Sequence, residues 1–432
     1  MNSTTLNSSL LHLPRRIAVI GGARIPFCRA NTAYSEESNL SMMTAATRAL
    51  TEKYRLAGQT LGEVCLGAVM TQPKDWNLAR EVVFASDLAP ETPAVDLRRA
   101  CATSLEAAIM VGMKIATGAI DVGIAGGCDT ISDLPLALQP ALAHRLLQSA
   151  RARTFIDRIR PWFGFRPREL KPVIPGVTEP TTGLSMGQHT DLMAREWGVT
   201  REEQDAFAVE SHQKAVAAYK RGFYQDLVVP YLKATQDNNL RAETSVSQLS
   251  KLKPSFYPDG TLTAGNSSPL TDGAACVLLA SESWARQHDL PVQAYLSAWE
   301  VAAINVKQEG LLMAPAYAVP RMLTRAGLTL ADFDFYEIHE AFAAQVLCTL
   351  RAWESEKFCR ERLGLPEPWG TLDHRKLNVV GSSIALGHPF GATGARLIGT
   401  LAKLLIEKGR GRGLMSICTA GGMGVTAILE RP

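Results

Sequence analysis

Cys101 stands in "DLRRACATSLEAA", where a strand-like run gives way to helical spacing. A thiol at a helix start faces unpaired backbone N–H groups and the positive end of the helix dipole. Both favour thiolate and lower the pKa from its usual value of about 8.5. Small Ala100 and Ala102 leave a substrate room to approach. Read alone, a cysteine is as well explained as an inert core residue. His388, in "GSSIALGHPFGATGAR", lies among glycines and ahead of Pro389, which biases it away from helical geometry. Gly387, Gly391 and Gly394 permit close approach by another segment. A histidine so placed can take a proton from a thiol and return it. Cys418 closes the apolar run of "ICTAGGMG". A second thiol fits a reaction that moves a proton at carbon while the first holds an acyl group. His339, in "EIHEAFAAQ", can donate to a developing oxyanion.

Other chemistries fall away on spacing. His339-Glu340 opens like a zincin helix, but position 343 is Ala, so the second ligand is missing and no metal is expected. The eight cysteines form no CxxC pair, which argues against zinc and dithiol redox sites. "RIAVIGG" reads as a buried strand ending in a tight glycine turn, without the GxGxxG of a nicotinamide site. No Walker pattern accompanies the glycines around His388. A formal charge of +3 is too mild for a nucleic-acid partner, though it leaves room for local basic patches. Hydrophobic residues at 46% and charged ones at 20% are ordinary for a globular protein, and 432 residues suit two or three packed lobes. The opening MNSTTLNSSLLHLPRR has its arginines after its apolar patch, the wrong order for a secretory peptide. Reduced thiols in the cytoplasm are the expected setting.

The elements that must carry these residues repeat. From Leu105 the apolar positions Ala108, Ile109, Gly112 and Ile115 keep helical spacing, with Gly118 as the stop; "DVGIAGG" follows. Near the C-terminus Leu397, Ile398, Leu401, Leu404 and Leu405 share a helix face, Lys408 and Arg410 lie at its negative end, and "GLMSICTAGG" follows. The repeated order of helix, strand and double glycine predicts a duplicated α/β half. Residues 136–261 differ and are expected to form an inserted lobe, between an N-terminal half (1–135, with 262–290 returning to it) and a C-terminal half (291–432). The lobe carries an arginine-rich amphipathic stretch with Leu146, Leu147, Ala150, Phe155 and Ile159, then two helices with a Thr200/Glu203 capping box between them.

From Ile17 to the C-terminus, "CATSLEAA", "SMG", "TAGNSSPLTDGAA", "HEAFAAQ", "ALGHPFGATGAR" and "CTAGGMG" follow in the order of the thiolase family, which the chain resembles. The resemblance implies a five-layered αβαβα fold of two pseudo-equivalent halves with an inserted loop domain. It implies that Cys101 is the acylated nucleophile, His388 its base, and Cys418 the acid and base at the second substrate. It further implies two oxyanion holes, one from His388 with His339 and one from the backbone N–H groups of Cys101 and Ala420. Met186, Ser268, Ala341 and Phe342 match positions lining a coenzyme A tunnel, while Ser185 departs from a His found there in some members. Coenzyme A enters as substrate, with no bound cofactor.

His at 339, where many members have Asn, resembles the thiolase subunits of trifunctional β-oxidation complexes. That brings expected partners: acyl-CoA substrates, a second copy at least, a hydratase/dehydrogenase α subunit, and peripheral membrane contact through the basic insertion. The expected activity is thiolysis of 3-ketoacyl-CoA. Its rivals are an acetyl-CoA acetyltransferase and a non-catalytic acyl-CoA binder, the latter having no use for two thiols and a base.

Overall fold

The computed structural model describes residues 13–176 and 178–432, so most of the N-terminal stretch read for targeting, up to His12, lies outside the described residues. Among the described residues ten strands run in chain order: β1 (Ile17–Arg24), β2 (Cys28–Arg29), β3 (Glu63–Leu66), β4 (Ala94–Asp96), β5 (Val122–Asp129), β6 (Thr271–Ser281), β7 (Ala294–Ala303), β8 (Phe335–Ile338), β9 (Gly411–Thr419) and β10 (Met423–Arg431). Their order is β4-β3-β5-β6-β1-β7-β10-β9-β8, with β2 beside β6. The run β3-β5-β6-β1 is matched by β8-β9-β10-β7, with β3/β5 and β8/β9 parallel and the other pairs in each run antiparallel. The halves meet where β1 pairs antiparallel with β7, Ile17 opposite Leu296. The expected two sheets are thus hydrogen-bonded into one path.

Alternation along the strands creates the layers. Ile17, Val19, Val277, Leu279, Ile417, Val425 and Leu429 face a central core that also holds Leu105, Ile109, Leu397 and Leu401. Their neighbours Ala18, Ile20, Leu278 and Ala280 face an outer core with Met42, Met43 and Leu50, while Leu414 and Ile428 face another with Met322, Leu323 and Trp353. Both faces of each sheet are therefore covered, which is why these strands read as near-continuous apolar runs. Helices Thr103–Ala116 and Thr393–Lys408 form the middle of an αβαβα stack.

The repeat holds for helix and strand but not for the glycines. Gly421 and Gly422, at φ +78° and +68°, make the tight turn from β9 to β10. Gly126 and Gly127 instead lie within extended β5, which runs on to Asp129. Likewise β1 passes through Gly21 as a bulge and continues to Arg24, so no turn ends it. Where the C-terminal half turns tightly, the N-terminal half leaves the sheet after Asp129 and returns at Thr271, with Asp129 opposite Gly273.

That excursion contains the arginine-rich stretch, which breaks into helices Pro140–Arg151 and Phe155–Ile159. Leu142 is buried, but Leu146, Leu147, Phe155 and Ile159 are exposed. Helices Met186–Glu196 and Arg201–Lys220 follow, with Thr200 and Glu203 forming the capping box. The excursion is pinned to β1 by Asp237. Both of its oxygens accept from Arg24, at 2.6 and 2.7 Å, and it also accepts from Phe27 N and the Tyr219 hydroxyl. Arg24 and Asp237 are both buried. Removing one partner strands a buried charge, so Asp237→Ala is expected to lower stability by about 3–5 kcal/mol. Urea unfolding checks this; a loss below about 1 kcal/mol would show that water replaces the carboxylate.

Candidate active site

The two central helices bring the site together at their N-terminal ends. Gly394 touches Leu105 so closely that a Cβ there would lie 2.2 Å from Leu105 N. Ser104 Oγ accepts from Ala395 N at 2.8 Å, so one helix supplies a missing partner for the first turn of the other. This crossing sets the Cys101 turn against the His388 loop.

Cys101 does not lie in the helix, whose first residue is Thr103; it occupies a turn just ahead. Ala100 sits at φ +43°, a conformation that costs a residue with a Cβ roughly 1–3 kcal/mol and persists only when its surroundings impose it. Thr103 imposes it, accepting from Arg99 N and donating to Ala100 O. The sulfur is approached by the N–H groups of Ala420 and of Cys101 itself. Burial outweighs them and pushes the thiol up to about 12, against the lowering expected from the helix dipole alone. At rest Cys101 is accordingly a neutral thiol. Iodoacetamide labelling of Cys101 should then keep accelerating from pH 7 through pH 9.5; a plateau near pH 8 would mean that a stable thiolate exists without substrate.

His388 is buried in a loop fastened by Asp129, the last residue of β5, whose carboxylate accepts from Gly391 N, Val69 N and Met70 N. Its own N–H donates to Thr271 Oγ1, and its Nδ1 lies 2.6 Å from Thr393 Oγ1. Burial first, and then the charge of Arg396, hold its pKa down to about 3, so the ring is a neutral base. His339 follows β8, with its N–H on Ser416 O, and its ring centre is 4.1 Å from that of His388. The Cys101 sulfur and one nitrogen from each histidine lie within 4.8 Å of one another. Cys418, near the end of β9, is buried, and a charge on Cys101 would add to the burial that keeps it protonated.

Ala420 sits in the β9–β10 turn, where Glu179, from the excursion between β5 and β6, accepts from Gly421 N at 2.9 Å. Ser268 N and Oγ both donate to Ala341 O, stitching two of the quoted motifs together. Met186 and Phe342 pack in one apolar cluster with Ala341 and Cys418, and Phe342 meets Phe256 edge to face. Ser185 has a structural role as the N-cap of helix Met186–Glu196, its hydroxyl accepting from Gln188 N.

A cavity of about 640 Å³ opens beside these loops, lined by Arg29, His212, Arg241, Ser267 and Pro269 among others. Arg29, His212 and Arg241 were not singled out in the sequence, nor were Thr103, Asp129, Glu179, Ser383 and Arg396. Lone polar residues between motifs carry no spacing signal. Thr103 in "CATSLEAA", and Ser383 and Arg396 in "GSSIALGHPFGATGAR", stood inside quoted segments, but nothing in their spacing gave them a role.

Residues 17–283 match the family model for the thiolase N-terminal domain, and residues 290–431 match that for the thiolase C-terminal domain. A 3-ketoacyl-CoA thiolase of Yersinia pestis (strain Pestoides F) is 41% identical over 422 residues, covering 96% of this chain and 97% of that protein. The 3-ketoacyl-CoA thiolase of Yersinia pseudotuberculosis (strain YPIII) matches to the same extent. Human mitochondrial 3-ketoacyl-CoA thiolase in complex with CoA superposes with a TM-score of 0.80 at 28% identity, covering 97% of this chain and 99% of that one. The acetyl-CoA acetyltransferase of Bacillus anthracis also superposes at 0.80, with 27% identity and the same coverage.

Proposed function

This chain belongs to the thiolase family of acyltransferases, and from that premise we propose that it cleaves 3-ketoacyl-CoA with CoA in fatty-acid β-oxidation, giving acetyl-CoA and a shortened acyl-CoA. The observation that carries the reading is the convergence of the Cys101 sulfur with His388 and His339 under the Ala420 N–H.

The chemistry follows from those positions. His388 takes the Cys101 proton as the sulfur attacks the 3-keto carbon, and the Cys101 and Ala420 N–H groups face the resulting oxyanion. The C2–C3 bond breaks, leaving its electron pair on the departing acetyl-CoA enolate. His339 and the now protonated His388 donate to its thioester oxygen, and Cys418 gives C2 its proton. In the second half CoA loses its thiol proton to Cys418 and attacks the acyl carbon. Cys101 leaves and recovers its proton from His388. Splitting one hard displacement into two easier ones is the gain of covalent catalysis. Each preset donor is worth about 3–4 kcal/mol where charge develops.

Coenzyme A is the substrate in this reading. The cavity beside the site, with Arg29 and Arg241 on its wall, suits an anionic ligand with a long thiol arm. Met186, Ser268, Ala341 and Phe342, none of which lines that cavity, are assigned to coenzyme A binding from the resemblance.

A second copy fits the edge of the N-terminal half. Strand β4 has one free side, its Val95 is exposed, and Trp76 (84% exposed) and Phe84 stand nearby on the surface; an edge so apolar calls for a partner. On the insertion, Phe155, Ile156 and Phe163 are each more than three-quarters exposed among arginines. That combination supports contact with an acidic, partly apolar surface, either a hydratase/dehydrogenase α subunit or a membrane. A cytoplasmic setting belongs to the same proposal, supported by eight cysteines held as free thiols.

The test is CoA-dependent cleavage of acetoacetyl-CoA and a long-chain 3-ketoacyl-CoA in parallel. Preference for the long substrate supports the degradative role. Turnover of acetoacetyl-CoA alone would replace it with an acetyltransferase.

A further inference from the structure

Two histidines share this site, and their neutral rings must do opposite things: His388 needs a lone pair on the nitrogen facing Cys101, and His339 needs a proton there. Each ring has a hydroxyl behind its Nδ1. Thr393 Oγ1 stands 2.6 Å behind His388, and Ser383 Oγ stands 2.8 Å behind His339. The two hydroxyls differ in what lies beyond them. Ser383 Oγ accepts from Arg396 Nη2 at 2.8 Å, while Arg396 Nη1 donates to Ser382 Oγ at 3.1 Å. Arg396 is itself buried, and the buried Glu337 carboxyl lies 3.7 Å from its Nη1.

A guanidinium only donates. With one Ser383 lone pair committed to it, the hydroxyl oxygen is a poor acceptor and its O–H a strengthened donor. The acceptor within reach is His339 Nδ1. Were Nδ1 protonated instead, two donors would converge on one oxygen and the serine O–H would be stranded in a buried setting. A ring that accepts at Nδ1 carries its proton at Nε2, and His339 Nε2 is buried with no partner among the described residues. Among the described residues no arginine bonds the Thr393 oxygen, which can accept from His388 Nδ1, as a base requires.

We propose that Ser383, polarised by Arg396, is a positioning residue that fixes His339 as its Nε2–H tautomer, making it an oxyanion donor and preventing it from competing as a base. The inference deepens the thiolase reading and rests on it for its catalytic meaning. It extends that reading by assigning roles to Ser383 and Arg396 and by dividing labour between the two rings.

The test has a part that does not need turnover. In the whole protein with 15N-histidine labels, the His339 resonances, assigned by their loss in His339→Asn, should show an unprotonated Nδ1 and a protonated Nε2 at pH 7.5. A protonated Nδ1 would overturn the proposal even if the enzyme is an active thiolase. The correct tautomer in a protein that cleaves no 3-ketoacyl-CoA would sink the thiolase reading instead. In kinetics, Ser383→Ala should lower kcat about tenfold with KM for CoA within about twofold, and Ser383→Thr should restore most of the loss. In a His339→Asn background the same Ser383→Ala change should cost less than about twofold, since the ring it serves is gone. Equal losses in both backgrounds would reduce Ser383 to a packing residue.

Discussion

Cys101→Ala should abolish thiolysis, with kcat falling by a factor on the order of 10⁴ or more, while CoA affinity stays within a few fold. The scale follows from the loss of a covalent path, as when a nucleophile is removed from a hydrolase. The expected selectivity follows from position. Cys101 occupies a turn already held by Thr103, and alanine keeps its backbone N–H and its φ demands unchanged. The cavity walls contributed by Arg29 and Arg241 belong to other segments. Mass spectrometry supplies the second readout. Wild type mixed with 3-ketoacyl-CoA in the absence of CoA should gain one acyl group, and Cys101→Ala should gain none. Acylation persisting in the variant at another cysteine, with turnover retained, would remove Cys101 from the mechanism.

Cys418→Ala should separate the two kinds of bond the enzyme handles. Thiolysis breaks a carbon–carbon bond and leaves charge on C2, which needs a proton; loss of a positioned acid costs about 10²–10⁴-fold. Acyl exchange between an acyl-CoA and free CoA makes and breaks only thioesters, with no carbanion. Exchange still calls on Cys418 to take the CoA thiol proton, but a thiol is far more acidic than carbon and water can accept that proton, so Cys418→Ala should lose thiolysis by two to four orders of magnitude and exchange by clearly less. Protonation of Cys418 at rest is consistent with this role, because burial and the neighbouring Cys101 both hold its pKa well up. Equal loss of both reactions would make Cys418 a partner of Cys101 activation rather than the acid at carbon.

Candidates for the reacting groups could be picked from the sequence because each sits in a segment whose composition is hard to explain otherwise. A cysteine between alanines ahead of a helix, a histidine among glycines, and a thiol before a glycine pair each announce a turn where a side chain meets a ligand. The layers were legible too, since "GATGARLIGTLAKLLIEK" carries one apolar helix face and the strands around it are apolar on both sides. What misled was local resemblance: the double glycines of "GIAGG" and "TAGG" look alike, yet one lies in a strand and the other turns. Glycine permits both, and only the chain's path decides.

The sequence by itself determined which residues could react, the helices and strands that flank them, and the family to which they belong, because these depend on spacing within one segment. Tertiary structure alone decided the rest. It set the Cys101 turn against the His388 loop by crossing two central helices at Gly394, and brought His339 and Cys418 to them from β8 and β9. It also reversed the expected state of the thiol. A helix start favours thiolate, but burial at the junction of two halves costs a charge more than nearby N–H groups return, so Cys101 rests protonated. The network of Arg396, Ser383 and His339 is of the same kind. Its members are far apart in sequence or unremarkable in type, and their meaning lies in which lone pair faces which proton, a relation that exists only once the chain is folded.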